Sequence, residues 1–318
     1  MSVTHPVAFQ NKRGHLLRGI LHAPEPSTAR GVCVLLLSPG VKGRVGPHRL
    51  YLKIAAGLVP LGFHVLRFDF YGLGDSEGEL TELDLADVYN RVQGGRYVDD
   101  TLDALNWLQS TYGISRFVGS GLCGGSITAL MAAESDRRIE CILGIGLPTI
   151  LEGGPENWAR YVSSAQASAL RVGYLRKLAD PKSLLRFLTG KSSYSAIARV
   201  FRLLLSNEAG GSTSRASEPS SAPDSTNPRF ASAFLAVLES NRPMVLIFSE
   251  NDRLRLQFAD HFERRHAVRI EPHRHMYEVH TIPRANHVLS DRDSVHELVR
   301  IASRWLTARY AGATGQSA

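Results

Sequence analysis

The sequence predicts an α/β fold with a mostly parallel central sheet and helices on both faces. Short apolar, β-rich segments alternate with segments in which apolar residues recur every three or four positions, as in amphipathic helices. This alternation runs from about residue 31 to 147, stops, and resumes at residue 243. Such alternation is typical of parallel sheets. The 318 residues, 43% of them apolar, suffice for one large domain with an insertion.

The elements follow in chain order. The sequence of residues 5–23 predicts two paired strands joined by a turn at Lys12-Arg13-Gly14. The alternating region then predicts strand 31–37, helix 48–61, strand 63–70, helix 97–112, strand 116–120, helix 124–133 and strand 141–147. From residue 243 the order is strand, helix, strand, helix, with strands at 243–248 and 277–282 and the last helix at about 294–310.

The break in the alternation predicts the domain organisation. Residues 1–148 and 241–318 are expected to form the core, and residues 149–240 a cap inserted between two sheet strands. The cap's first part, to about Leu205, predicts basic amphipathic helices. Its second part is rich in Ser, Gly, Pro and Asn, and residues 206–229 are expected to form a mobile loop because they cannot bury enough apolar surface.

The charge balance narrows the classes of partner. The net charge is +7, and the basic cap is either a solvated helix surface or a surface that attracts an acidic partner. Acidic partners that fit are a carrier protein with phosphopantetheine, a coenzyme A phosphate or an anionic membrane surface. No nucleic-acid-binding motif accompanies the charge, so nucleic acid is not expected as a partner.

Targeting and cysteine patterns predict a cytoplasmic protein. The first residues lack the charged-then-apolar architecture of a secretion signal, and no apolar stretch approaches the ~20 residues of a membrane span. The three cysteines do not follow the spacing of a disulfide-bonded family, which argues against a fold held together by disulfides. A reducing cytoplasm also keeps a catalytic thiol usable.

The most informative segment is Gly121-Leu122-Cys123-Gly124-Gly125. It has the form of a nucleophile elbow, a sharp strand-to-helix turn that holds its central side chain in strained backbone geometry. A predicted strand precedes it and a predicted helix follows it, as that turn requires. The alternative is a cysteine that only fills the core, which is how we interpret Cys33 and Cys141.

A histidine and a carboxylate follow in suitable surroundings. An elbow nucleophile needs a histidine base, and the histidine needs a carboxylate that fixes its tautomer. Asp252 lies in the polar turn after strand 243–248, and His287 lies in the loop after strand 277–282. Glu250 is the alternative acid. The neighbouring His273 and His275 have no carboxylate or cysteine at ligand spacing, so we expect no metal site and no cofactor.

An oxyanion hole needs two backbone N–H groups directed at the developing negative charge. Gly124, directly after the nucleophile, is expected to supply one. Val41, in the loop after strand 31–37, is expected to supply the second. In the same loop, Arg44 or His48 either meets an anionic group of the substrate or pairs with the cap.

With these residues identified, the chain resembles the α/β-hydrolase superfamily over nearly its whole length. The matching features are the elbow, Asp252 and His287 in family order, and residues 67–77, which are similar to serine-aminopeptidase-like members. Residues 42–51, with Gly-Leu-Cys at the elbow, look like a bacterial subgroup that includes exosortase-associated hydrolases. A cysteine elbow is also similar to dienelactone hydrolases and polyhydroxyalkanoate synthases. The resemblance implies the α/β-hydrolase fold and hydrolysis, acyl transfer or polymerisation.

The chemistry of the thiol favours acyl processing. Cysteine loses its proton more readily than serine, particularly beside a histidine and at a helix N-terminus. We therefore expect Cys123 to attack an ester or thioester and form an acyl-thioenzyme, which water hydrolyses or another acceptor takes up, as in a thioesterase or acyltransferase. Two alternatives remain open: an elimination or cyclisation enzyme that uses the Cys–His pair as a base, and a non-catalytic binding protein on a hydrolase scaffold.

Overall fold

The computed structural model describes residues 3–82, 85–151 and 226–312. The described elements are, in chain order, β1 Val3–Gln10, β2 Leu16–Ala23, β3 Val32–Leu37, α1 Leu50–Leu58, β4 His64–Phe68, α2 Leu85–Gln93, α3 Val98–Tyr112, β5 Arg116–Leu122, α4 Gly124–Ser135, β6 Ile139–Ile145, α5 Pro228–Glu239, β7 Met244–Ser249, α6 Leu254–Phe258, α7 Ala267–Ile270, β8 Tyr277–Ile282 and α8 Arg292–Arg309.

The strands form one eight-stranded sheet in the order β1-β2-β4-β3-β5-β6-β7-β8. β1 pairs with β2 and β2 with β4 in antiparallel fashion, and every other neighbouring pair is parallel. The predicted fold class is confirmed. Because β3, β5, β7 and β8 run in the same direction, the loops that follow them meet at one edge of the sheet.

The sheet is buried on both faces. One apolar cluster packs with α3, α4 and α5, and the other packs with α1 and α8. Side chains alternate between the faces of a strand, so a strand buried on both faces is apolar throughout. In β3 the first cluster receives Cys33, Leu35 and Leu37, and the second receives Val32, Val34 and Leu36.

The end of the predicted insertion differs from the expectation. Residues 228–240 were assigned to the cap, but α5 occupies Pro228–Glu239 and packs against α4. Its Phe230, Phe234 and Leu238 are buried in the first apolar cluster. Asn227 caps the helix by accepting a hydrogen bond from the Arg229 N–H. The apolar face of this helix makes it part of the core, so the predicted boundary at residue 240 is too late. The rest of the predicted cap, including most of the predicted mobile loop, lies outside the described residues.

Two helices differ from the sequence-based prediction. The helix predicted for residues 48–61 is α1, a shorter α-helix flanked by 3₁₀ turns at Pro47–Arg49 and Val59–Leu61. The helix α2 was not predicted, although Val88 and Val92 stand four positions apart and are both buried.

No helix within the described ranges has the length and apolarity to cross a membrane.

Candidate active site

Cys123 lies at the turn between β5 and α4. Its backbone has φ 52° and ψ −113°, a left-handed conformation that costs free energy for a residue with a side chain. The Cys123 N–H donates to the carbonyl oxygen of Ile145 in the neighbouring strand at 2.8 Å. The Ser126 hydroxyl donates to the Cys123 carbonyl oxygen at 3.0 Å. These bonds hold the strained residue in place, as predicted for a nucleophile elbow.

The glycines of the elbow allow a close approach between the turn and β3. A Cβ on Gly125 would lie 2.1 Å from the Leu37 carbonyl oxygen, and one on Gly121 would lie 2.7 Å from the same atom. Neither distance is compatible with a side chain unless the backbone moves. The packing of β3 against the elbow therefore requires glycine at these positions.

Replacing Gly125 by alanine is expected to lower the free energy of unfolding by about 1–3 kcal/mol or more, because the new methyl group meets backbone atoms. Gly312→Ala is the matched control, since a Cβ there meets no atom within 4 Å. Urea unfolding followed by tryptophan fluorescence measures both variants. Equal stability of the two variants would contradict the close packing of the elbow.

Three predicted site residues, which follow three different strands, come together. Asp252 follows β7 and His287 follows β8, and the His287 Nδ1 lies 2.5 Å from the Asp252 Oδ2. Cys123 is close enough to His287 for its side chain to raise the pKa of the imidazole. The carboxyl group is largely buried, with 11% of the Asp252 side chain exposed, whereas 39% of the His287 side chain is exposed. The result is an arrangement in the order thiol, imidazole and carboxylate.

The electrostatics of this arrangement favour a cationic imidazole. Burial by itself lowers the pKa of His287, but the side chains of Asp252 and Cys123, and the negative charges of both, raise it from 6.5 to about 10. An imidazolium between a thiolate and a carboxylate is the arrangement in which a thiol is an active nucleophile at neutral pH.

The raised pKa predicts a pH dependence of stability. Because the folded-state pKa of about 10 exceeds the ordinary value of 6.5, the stabilisation from His287 is fully present below about pH 6.5 and is lost as pH rises towards 10. The difference in free energy of unfolding between wild type and His287→Gln should therefore be larger near about pH 6 than near about pH 10. Urea unfolding across this range measures it, and a difference that does not change with pH would contradict the charged state.

Glu250, the alternative acid, has another role. Its Oε2 accepts a hydrogen bond from the Arg284 N–H at 2.6 Å. The next residue, Asn251, donates from its N–H to the Ala285 carbonyl oxygen and from its side-chain amide to the Arg284 carbonyl oxygen. Glu250 and Asn251 thus join the loop that carries Asp252 to the loop that carries His287.

The predicted oxyanion loop lies against the elbow. A Cβ on Gly124 would be 3.0 Å from the Gly40 backbone nitrogen, so the two backbones are in close contact. The Gly40 N–H donates to the Ser38 carbonyl oxygen. In the described part of the chain, no backbone carbonyl accepts a hydrogen bond from the N–H of Gly124 or Val41. Both groups therefore have the donor capacity that the prediction requires.

Helix α2 covers this loop. A Cβ on Gly124 would lie 3.0 Å from Val92, and one on Gly40 would lie 3.0 Å from the ring of Tyr89. The helix therefore limits the space around Gly124, one predicted oxyanion donor, and around Gly40, the residue before the other. The four-residue spacing of Val88 and Val92 was the signal in the sequence that could have located it.

Arg44 binds two carboxylates of a neighbouring loop. Its guanidinium pairs with Asp69 and Asp75, and its N–H donates to the Asp69 Oδ1 at 2.6 Å. Asp69 also accepts from the Asp75 N–H at 3.1 Å, so its carboxylate bonds within its own turn as well. This network stabilises the basic loop next to the site.

The other two cysteines fill the core. Cys33 and Cys141 are fully buried, and burial raises the pKa of each thiol to about 12. Both thiols therefore stay protonated at neutral pH, which makes them poor nucleophiles. Cys123, by contrast, is partly exposed.

Other features of the described residues carry no chemistry of this kind. Among them, no group of three or more His, Cys, Asp or Glu side chains is arranged to hold a metal ion. A cavity of about 540 Å³ lies between α2 and α3, and none of Cys123, Asp252 and His287 lines it. Its charged residues pair with one another: Glu82 with Arg91 and Arg96, and Arg13 with Asp100.

The fold and this edge of the sheet define an α/β hydrolase. The sequence model of the alpha/beta hydrolase family matches residues 34–301, so the chain belongs to that family. No curated protein sequence gives a significant match.

Several solved structures are similar in fold. An esterase from Pyrococcus furiosus is 16% identical with a TM-score of 0.58, covering 98% of this chain and 92% of its own. An esterase domain from Rhodothermus marinus is 18% identical with a TM-score of 0.53, covering 98% and 100%. A dienelactone hydrolase from Anabaena variabilis is 15% identical with a TM-score of 0.54, covering 96% and 98%. At these identities the likeness concerns the fold.

Proposed function

We propose that the protein is an acyl-processing enzyme that acts on an ester or thioester through a covalent acyl-thioenzyme on Cys123. The observation that carries the proposal is the bond between His287 and Asp252, with Cys123 beside His287 and in left-handed geometry at the elbow. A thiol held in this way is a nucleophile with its base, and the base has its own orienting acid.

The first half-reaction forms the acyl-enzyme. His287 holds the thiol proton, and the Cys123 thiolate attacks the carbonyl carbon of the substrate. The N–H groups of Gly124 and Val41 donate hydrogen bonds to the oxygen of the tetrahedral intermediate. When the intermediate collapses, the bond to the leaving alcohol or thiol breaks and His287 transfers its proton to that group.

The second half-reaction removes the acyl group. His287, now neutral, takes a proton from water or from another acceptor, which attacks the thioester carbonyl, and the thiol is regenerated. An acyl group carried on a thiol passes to Cys123 with little change in free energy, because one thioester bond is broken and another is formed. Substrates on coenzyme A or on a carrier protein are therefore within the proposed class.

Support for the ester class comes from family membership and from the esterases and the dienelactone hydrolase of similar fold. The proposed setting is a reducing cytoplasm, because the reaction requires a free thiol. The proposed cap is the insertion that begins at about residue 149 and ends before α5. Its basic residues are proposed to meet the acidic carrier of the acyl group.

The test is the intact mass of the protein after incubation with a panel of acyl-thioesters and activated esters, for wild type and Cys123→Ser. An acyl increment on wild type that maps to Cys123 is the expected result. Decay of the adduct in water distinguishes hydrolysis from transfer, in which decay requires an added alcohol or amine. If no substrate leaves an adduct and a thiol-alkylating reagent also spares Cys123, the proposal is wrong and elimination chemistry becomes the better explanation.

A further inference from the structure

Tyr51 connects β3 to the elbow from within α1. The side chain is fully buried. Its hydroxyl donates to the Leu37 carbonyl oxygen at 2.6 Å and accepts from the Leu122 N–H at 2.8 Å. Leu37 is the last residue of β3, and Leu122 is the last residue of β5 before Cys123.

The hydroxyl bonds to both strands at the end of their ladder. The parallel ladder between β3 and β5 extends to the pair Leu37 and Gly121. The Cys123 N–H points to β6, where it bonds to Ile145, so the Leu122 N–H points the other way, to β3. In a parallel ladder this N–H and the Leu37 carbonyl are the groups that close the last pair. The Tyr51 oxygen accepts from the first group and donates to the second, so it ties the two strands together where the active site begins.

The two bonds of Tyr51 reach the surroundings of the nucleophile. The Leu37 carbonyl that Tyr51 holds is the atom closest to the Cβ position of Gly125, at 2.1 Å. Beyond Leu37 the chain enters the loop with Gly40 and Val41, and Gly40 contacts Gly124. Tyr51 therefore anchors both sides of the proposed oxyanion hole, one through β3 and the other through β5.

The Tyr51 hydroxyl keeps its proton. Burial raises the pKa of Tyr51, the hydrogen bond from Leu122 lowers it, and the charge of Cys123 raises it again, with a net shift upward. The phenol is thus neutral at any pH at which the enzyme works. It donates to Leu37 throughout a catalytic cycle.

We propose that Tyr51 is a positioning residue whose hydroxyl, bonded to the ends of both β3 and β5, holds the Gly124 and Val41 N–H groups at their separation in the oxyanion hole. The inference rests on the proposed function. Without the hydroxyl, the ends of β3 and β5 keep only the bonds of their ladder. The two oxyanion donors are then free to move relative to each other.

The test compares two reactions of Cys123 in Tyr51→Phe. Acylation by an activated ester passes through an oxyanion, whereas alkylation by iodoacetamide does not. The single-turnover acylation rate is expected to fall about 10- to 100-fold with little change in apparent substrate affinity, since displacing an oxyanion donor costs a large part of its contribution. The alkylation rate is expected to stay within about twofold of wild type, because the thiolate and its histidine are unchanged.

Tyr97→Phe is the matched control. Tyr97 is also a buried tyrosine, but its hydroxyl has no hydrogen-bond partner among the described residues. Both reactions are expected at wild-type rates in this variant. If Tyr51→Phe does not fold, 3-fluorotyrosine placed at position 51 alone keeps the ring and weakens the oxygen as an acceptor. It is expected to slow acylation about threefold or more, with alkylation unchanged.

The outcomes separate the two proposals. If Tyr51→Phe acylates at the wild-type rate, the positioning role of Tyr51 is overturned and the proposed function stands. If Tyr51→Phe does not fold, a wild-type acylation rate in the fluorinated protein has the same meaning. A parallel fall of acylation and alkylation also overturns it, because Tyr51 then supports the thiol rather than the oxyanion hole. If wild type forms no acyl-enzyme with any substrate, the proposed function fails, and the role of Tyr51 fails with it.

Discussion

Cys123→Ala is expected to form no acyl adduct and to lose turnover by about 10³-fold or more, because the substitution removes the proposed nucleophile. The fold should persist, since the thiol is partly exposed and alanine removes one atom. Intact mass and single-turnover kinetics measure the effect on chemistry, and the circular dichroism spectrum checks the fold.

Cys33→Ala is the control for the loss of a thiol. Cys33 is buried in β3, so this variant is expected to be less stable by about 1 kcal/mol but to acylate as wild type does. An acyl adduct on Cys123→Ala, or loss of the adduct in Cys33→Ala, would assign the nucleophile to another residue.

Asp252→Asn is expected to lower the single-turnover acylation rate by about 10²-fold or more. Asparagine is nearly the same size, but it carries no charge, so it cannot stabilise the imidazolium of His287 across the 2.5 Å contact. The pKa of His287 should fall from its raised value, because the contribution of Asp252 is removed. An NMR titration of the His287 ring measures that shift alongside the kinetics.

Glu250→Gln is the matched control for Asp252→Asn. The glutamine side-chain oxygen can still accept from the Arg284 N–H, so the link between the two loops persists. Acylation is expected to stay within about threefold of wild type. If Glu250→Gln lowers the rate as much as Asp252→Asn does, the acid of the site is Glu250 and not Asp252.

Much of the fold was predictable because its signals are local. Alternating strand and helix patterns predicted the parallel sheet, and residues 121–125 predicted the strained turn that the backbone of Cys123 adopts. The positions of Asp252 and His287 after predicted strands were enough to bring them to one edge. The carboxyl ends of parallel strands all lie at the same edge of the sheet, so this prediction does not require the strand order.

Contacts between distant segments were not predictable in this way. The bonds from the Tyr51 hydroxyl to Leu37 and Leu122 depend on how α1 packs against the sheet. The bond from Arg284 to Glu250 depends on two loops being neighbours. An amphipathic helix can pack on a core or on an insertion with the same periodicity, so the sequence by itself did not show that α5 belongs to the core.

The sequence by itself determined the elbow at Cys123, the residue types of the candidate triad and the class of fold, since each depends on neighbours in the chain. Only the tertiary structure decided which carboxylate reaches His287. It also decided which side chain links the ends of β3 and β5, and where the core ends. Those outcomes depend on distances of a few ångströms between segments far apart in sequence. Such distances result from the packing of the whole sheet and its helices.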